Sequence, residues 1–437
     1  MVMKTKIKPE LLAPAGDLTR LSYALAYGAD AVYAGQPAFS LRARENGFKS
    51  LDDLAQGIEI CKKQGKKFYL TSNVIARNTK VEAFQKALLA AIELKPDALI
   101  VADPGIIGFL RKEAPQQELH LSVQANTTNW LTAKYWADQG IQRIILSREL
   151  RLQEVIEIHK QVPEIELEVF VHGAVCMAMS GRCMLSNWVS HRDANQGACN
   201  NSCRMPYQLY ANPDPQNENY QAHQGNFSLK RTDTDTLDPI ALDEDDWGTY
   251  FMNSRDLCAL DALPDLVQNN TGITSFKVEG RTRSIYYLAQ VVHAYRMAID
   301  ALYNGENIPE ASRRALSMID SRGWMTGFGY KDPLPQNYQS TREKAELGCV
   351  AAQVDKALEN HRLQVQIKNP FGPEDSFELL TPQGSFDCKI HSLENAKGEA
   401  KDRLHPGTNG SVAIEIDKNI DLKHIEHAFL VKKEKKY

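Results

Sequence analysis

Between about residues 10 and 173, short apolar runs alternate with amphipathic stretches of helical period. The runs are ELLAPAG, DAVYAG, KKFYLTSN, DALIVAD, ELHLSVQ, RIILSRE and LEVFVHG. Between them lie LTRLSYALAYG, SLDDLAQGIEICKKQG, VEAFQKALLAAIELK, LTAKYWADQG and LQEVIEIHKQV. Short apolar runs read as buried strands and the longer periodic stretches as helices, several of which close on Gly, where a helix C-cap is expected. Strand–helix alternation of this kind predicts a parallel sheet with crossover helices. Seven strands precede residue 174, and an eighth, SFKVEG at 275 to 280, is followed by the helical stretch SIYYLAQVVHAYRMAIDALYNG. Eight units predict a TIM-like (β/α)8 barrel. A doubly wound open sheet is the competing architecture, but no G-x-G-x-x-G opens the first unit.

The pattern breaks twice. Between strands seven and eight the chain runs from about 174 to 274, far longer than an ordinary βα loop, and such an excursion is usually functional or disordered. Its middle, NPDPQNENYQAHQGNFSLKRTDTDTLDPIALDEDDW, is polar and acidic and reads as a flexible insertion. After about 340 the period becomes two, in CVAAQVDKAL, RLQVQIKN, SFELLTP, SFDCKIHSL, GSVAIEI and HAFLVKK, separated by turn residues. The expected domains are therefore a barrel over 1–340 with its insertion, and a small all-β barrel over 341–437. The basic tail KKEKKY reads as a solvated end.

Composition narrows the function classes. The chain has 437 residues, 43% hydrophobic and 24% charged, and no apolar run approaches the roughly 20 residues a membrane helix needs. The N-terminus MVMKTKIKPELLAPAG has no apolar core of an export signal, so the expected location is the cytoplasm. A net charge of −4 argues against a uniformly basic surface and leaves nucleic-acid binding to local patches. In a reducing compartment the eight cysteines are read first as metal-binding or catalytic.

Four of them cluster as C-x6-C-x15-C-x3-C: Cys176, Cys183, Cys199 and Cys203. Four thiols in one loop are enough to encircle a metal centre, and iron–sulfur clusters are held by four thiolates. Gly173, Gly181 and Gly197 each lie close before a cysteine and let the backbone wrap a bulky centre. Zinc is the rival, although structural zinc sites usually show tight C-x2-4-C knuckles at both ends, and a redox or nucleophilic cysteine is a further alternative. Cys61, Cys349 and Cys388 read as buried small side chains, and Cys258 in MNSRDLCALDAL is a reserve ligand.

Reactive groups in such barrels come from the C-terminal strand ends. Here these are Gln36, Asn73, Asp103, Gln124, Asn126, Ser147, Arg148, Glu149, His172, Lys277, Glu279 and Arg281. His172, Lys277 and Glu279 are the candidate proton-transfer groups, and Gln124, Asn126, Arg148, Glu149, Lys277 and Arg281 the candidate substrate-binding groups. Arg148, Lys277, Arg281 and Arg283 offer anion binding. The plainer reading of any one is a salt bridge; Lys277 and Glu279, two apart on a strand, could neutralise each other. The proteolytic signatures H-E-x-x-H and G-x-S-x-G are absent from the sequence.

The segment EVFVHGAVCMAMSGRCMLS resembles the signature of peptidase family U32, through Glu168, Phe170, Gly173, Cys176, Gly181, Cys183 and Ser186. YGADAVYAGQP, HLSVQANTTNW, ILSREL, NSRDL and FKVEGRTRS extend the resemblance over nearly the whole chain. The resemblance implies a barrel with a [4Fe–4S] cluster on four cysteines, acting in hydroxylation of tRNA at wobble uridine 34, with prephenate as a required metabolite. In that tRNA-acting branch, a C-x3-C pair followed by Arg204 favours Cys203 over Cys258 as the fourth ligand. Two other readings stand beside it: a collagenase-like peptidase, as the family name implies, and a zinc-stabilised RNA-binding adaptor without catalysis.

Overall fold

Valine, isoleucine, leucine and alanine fill the predicted runs with little alternation, as strands buried on both faces require. In the computed structural model these runs form β1 (Glu10–Pro14), β2 (Ala31–Gly35), β3 (Lys67–Ser72), β4 (Ala98–Val101), β5 (Leu119–Leu121), β6 (Arg143–Ile145), β7 (Glu166–Ala174) and β8 (Ile273–Val278). The structure describes residues 8–205, 207, 253–330, 348–358, 362–407, 409–416, 425 and 427–433, with the backbone of short strands between 210 and 249. Apart from those short strands, the acidic middle of the insertion lies outside the described residues, as does the end of the basic tail.

Each strand pairs in parallel with the next, and β8 pairs with both β1 (Leu12↔Lys277) and β7 (Phe276↔Val169), which closes the barrel. The fold is thus a TIM-like (β/α)8 barrel with a cysteine-bearing insertion after β7, joined to an all-β barrel domain. The intervening helices start and stop where their caps direct. Ser50 and Asp53 form a capping box on α2 (Leu51–Lys63), and Asp103 accepts from the Gly105 and Ile106 amides ahead of α4 (Pro104–Glu113).

The returning insertion adds one device. A short strand, Asp256–Cys258, pairs antiparallel with the extended end of β7, Asp256 opposite Ala174 and Cys258 opposite His172. Trp324–Met325 pairs beside it, and Arg322 binds Asp256 and the Ser254 carbonyl.

By contact the chain divides into two units: Met1–Leu18, Ala31–Thr282 and Ser321–Glu343 in one, Thr19–Asp30, Arg283–Asp320 and Lys344–Tyr437 in the other. The second contains six long strands, Gly348–Leu358, Arg362–Ile367, Phe377–Thr381, Gly384–Asn395, Asn409–Ile416 and Phe429–Lys433. They close on themselves through the pairing of Phe377–Thr381 with Gly384–Asn395. Within this unit the helical segments after β1 and β8 join the β-barrel. Tyr23 and Tyr286 each place a ring 5.4 Å from Phe429, and the Tyr27 hydroxyl donates to the His427 carbonyl at 2.9 Å. Aromatic residues on one face of each helix thus draw them into this unit's core.

Candidate functional site

Period-two alternation turns Leu12, Tyr33, Tyr69, Ile100, Ile145 and Phe170 into the first barrel's interior. Below that apolar level lies a polar layer. Arg143 binds Glu10 at 2.7 Å and Glu168 at 3.4 Å, Lys277 binds Glu168 at 2.7 Å, and the Tyr69 hydroxyl donates to Glu10 at 2.7 Å. Burial alone would raise the Glu168 carboxyl, but Lys277 and Arg143 outweigh it and hold it below the usual carboxylate value. Burial lowers Lys277 despite Glu168, and burial also lowers His120. Lys277 thus pairs with Glu168 on the neighbouring strand β7, and Glu279 lies just beyond the end of β8.

At the C-terminal ends of the strands a cavity opens, about 1080 Å³ including the open solvent at its entrance. Cys176, Cys183, Cys199 and Cys203 all line it, and so do Arg42, Arg148, Arg204 and Arg281. Asn73, Gln124, Lys277, Glu279, Tyr33 and Phe170 complete its polar and aromatic walls.

The cysteine loop is held open by its backbone. Ser180, His191 and Asn201 take positive φ angles of 51°, 55° and 59°, each reversing the chain once. Gly197 has φ +81°, and a Cβ there would fall 2.4 Å from the Ser40 carbonyl oxygen, so only glycine lets the loop lie on that backbone. Asp193 pairs with Arg77, and Lys80 donates to Gln196 at 3.3 Å, tying the loop to the segment after β3. Glu149 accepts the Ser180 amide at 2.9 Å, and the Ser180 hydroxyl donates to Asn126 at 2.6 Å.

The thiols sit within electrostatic reach of one another. Burial pushes Cys203 up, Arg204 opposes this, and charge on Cys176, Cys199 and Cys183 pushes it further up. Four such thiolates need a cationic centre to coexist in one partly buried cavity. The Asn201 amide donates to Cys199 Sγ at 3.4 Å, the kind of contact that tunes a bound cluster. Among the described residues no group of three or more His, Cys, Asp or Glu is already gathered around a single metal-ion position. The donor set of four thiols around a roomy cavity fits a polynuclear cluster.

The guanidinium groups are unevenly satisfied. Arg148 lies 3.7 Å over the Phe170 ring. Burial lowers Arg281, and its buried Nη1 makes no hydrogen bond within the described structure. Arg204 donates from Nη2 to the Val175 carbonyl at 3.2 Å, but its buried Nε has no hydrogen-bond partner among the described residues. Burial would lower Arg42, yet charge on Glu279, Cys199, Glu45 and Cys176 outweighs it and holds Arg42 above its ordinary value.

Of the residues expected from sequence, Gln124, Arg148, Lys277, Glu279, Arg281 and the four cysteines face the cavity. Asn126 and Glu149 instead fasten the cysteine loop, and His172 is fully buried with its ring 5.0 Å from Trp324. Gln36 receives the Ser72 hydroxyl, Asp103 caps a helix, and Arg283 lies over the Tyr287 ring. Cys258 sits in the strand opposite His172, away from the cavity lining. Arg42 went unnoticed in the patternless stretch FSLRARENG; a basic residue in a βα loop on the strand-end side was its only signal.

Comparison with known proteins adds the family. The family model described as peptidase family U32 matches residues 16–339, and that of the peptidase family U32 C-terminal domain matches 346–428. The chain belongs to peptidase family U32. Among U32 relatives, tRNA hydroxylation protein P of Haemophilus influenzae is 41% identical, over 97% of this chain and 96% of its own length. The Escherichia coli protein of the same name is 39% identical, over 95% and 96%. tRNA hydroxylation protein P1 of Bacillus subtilis is 34% identical, over 94% and 93%. Among the described residues that line the cavity there is no histidine. No helix among the described residues is long and apolar enough to cross a membrane.

Proposed function

We propose that this chain hydroxylates tRNA, forming 5-hydroxyuridine at wobble uridine 34 with a [4Fe–4S] cluster and prephenate. The observation that carries the reading is the convergence of four loop thiols and four arginines on one barrel-mouth cavity. It occurs in a chain matched along almost its whole length by relatives named as tRNA hydroxylation proteins.

In this reading Cys176, Cys183, Cys199 and Cys203 hold the cluster. When bound, it supplies one-electron transfer, or a Lewis-acidic iron if one thiolate leaves. Arg281 and Arg148 take the carboxylates of the small anion: Arg281 has a buried donor to spare, and Arg148 is pre-oriented by Phe170. Asn73 and Gln124, hydrogen-bonded at 3.0 Å, present amide groups to a pyrimidine edge. Glu279 is the titratable group placed to move a proton, while Lys277 on the cavity floor is committed to Glu168. The cytoplasm, where tRNA is found, is the corresponding location.

The test combines two measurements. Protein purified without oxygen is expected to carry iron and acid-labile sulfide in equal amounts, and Cys176→Ala to carry neither. Nucleoside mass spectrometry of tRNA from a deletion strain should show 5-hydroxyuridine derivatives restored by wild type and not by Cys176→Ala. A colourless protein holding one zinc would sink the cluster assignment. Unchanged 5-hydroxyuridine in the deletion, with no second enzyme present, would remove the tRNA reading.

A further inference from the structure

The cysteine loop does more than bring thiols to the cavity. Between Cys183 and Cys199 it folds a short helix, α7 (Leu185–Ser190), whose outer side is apolar. Trp188 is 82% exposed and Met184 69%, the two highest values among the exposed large hydrophobic residues described. The Trp188 amide bonds to the Met184 carbonyl at 2.9 Å, so the two share one helix face. His191, also exposed, follows at the end of the same turn and bonds back to the Asn187 carbonyl at 2.8 Å.

Trp188, Met184 and Val189 are exposed together on this short segment, and a contiguous apolar patch rimmed by polar residues marks an interaction site. Its surroundings indicate what binds there. The loop from Cys176 to Met205 carries Arg182, Arg192 and Arg204 against one acidic residue, Asp193, which is already paired with Arg77. The chain as a whole carries −4, so this loop is a locally basic patch on an acidic protein. An exposed aromatic face on a loop of net positive charge, with Arg182 exposed in the same loop, suits a polyanion with flat bases. Unpaired RNA is recognised by splaying bases onto aromatic side chains while cations neutralise its backbone.

We infer that Trp188, with Arg182 and His191, is a stacking platform for an unpaired nucleotide of an RNA loop, placed at the rim of the cysteine-lined cavity. The inference rests on the tRNA reading and deepens it by naming where the loop lands. Met184 packs along the outer edge of the stacked base. Because Cys183 and Cys199 bracket the platform and both line the cavity, a base on Trp188 holds the neighbouring nucleotides at its entrance.

The test uses the full-length chain purified without oxygen and two RNA probes of equal length: a hairpin with an unpaired pyrimidine-rich loop, and a fully paired duplex. Trp188→Ala should weaken hairpin binding by roughly 5- to 100-fold, the range for one lost base–aromatic stack. It should leave duplex binding within about twofold, because backbone neutralisation persists. Trp188→Phe should recover most of the loss. Trp188 is too exposed for its removal to unfold the chain, and matched thermal melting of the variants checks this. If wild type prefers the hairpin and Trp188→Ala binds it equally well, the platform is overturned while the tRNA reading stands. The platform is also overturned if Trp188→Ala keeps hairpin affinity and instead slows reduction by a protein electron donor. Wild-type protein that binds neither RNA overturns both.

Discussion

The polar layer at the base of the barrel and the cavity at its mouth are built from the same residue types and satisfy them in opposite ways. At the base, Arg143 and Lys277 face Glu10 and Glu168, and each cation ends on a carboxylate. At the mouth, Arg42 feels Glu279 and the thiols, Arg148 lies over Phe170, and among the described residues Arg281 and Arg204 keep buried donors without hydrogen-bond partners. A charge that finds its partner inside the chain serves the fold. A buried donor with none is held for a ligand, since leaving it unmade costs about 1–3 kcal/mol.

The contrast predicts that equal chemical changes have unequal consequences. The largest is expected at the base: Glu168→Gln leaves Lys277 and Arg143 without their shared counter-charge and should cost about 3–5 kcal/mol in urea unfolding. At the mouth, Arg281→Met should leave unfolding stability unchanged or slightly raised, because it removes a buried, under-satisfied charge. It should raise KM for the anionic co-substrate by roughly 10- to 100-fold, the worth of a charge-assisted hydrogen bond. It should also abolish the thermal stabilisation that excess dicarboxylate gives wild type. Equal destabilisation by the two variants would erase the distinction.

A smaller effect is expected in the acid limb. Glu168 is depressed, so its contribution is present in full above the ordinary glutamate value of 4.5 and is lost as pH falls through its lower folded-state value. The stability gap between wild type and Glu168→Gln should therefore be constant from neutrality to about pH 5.5 and narrow below 4.5. A gap that widens on acidification would mean that Glu168 is protonated in the fold. The smallest effect belongs to the loop fastening: Asn126→Gly, which tolerates the positive φ at this position, removes one acceptor from Ser180 and should cost about 1 kcal/mol, read as faster amide exchange around Ser180 and Gly181.

Both barrels were legible in the sequence because burial writes a period into the chain: near-continuous apolar runs in β1 to β8, alternation of two after 348. The cysteine spacing marked the loop that lines the cavity. What periodicity could not supply was partnership. It places Lys277 on a strand face but not opposite Glu168, which is 109 positions away in sequence. Position at a strand end likewise did not separate Gln124, which faces the cavity, from Asn126, whose positive φ turns it to the loop. His172 lay beside the cysteines in sequence, yet the long β7 carries it into the pairing with Asp256–Cys258.

That pairing bears on how such a chain can diversify. The excursion departs from the end of β7 and is clamped back onto the same strand by Asp256, Leu257 and Cys258 before β8 begins. Each doubling of the intervening chain adds only about 0.6 kcal/mol of closure cost. Length there can therefore drift between descendants while the thiols, the arginines and the barrel seam keep their registration.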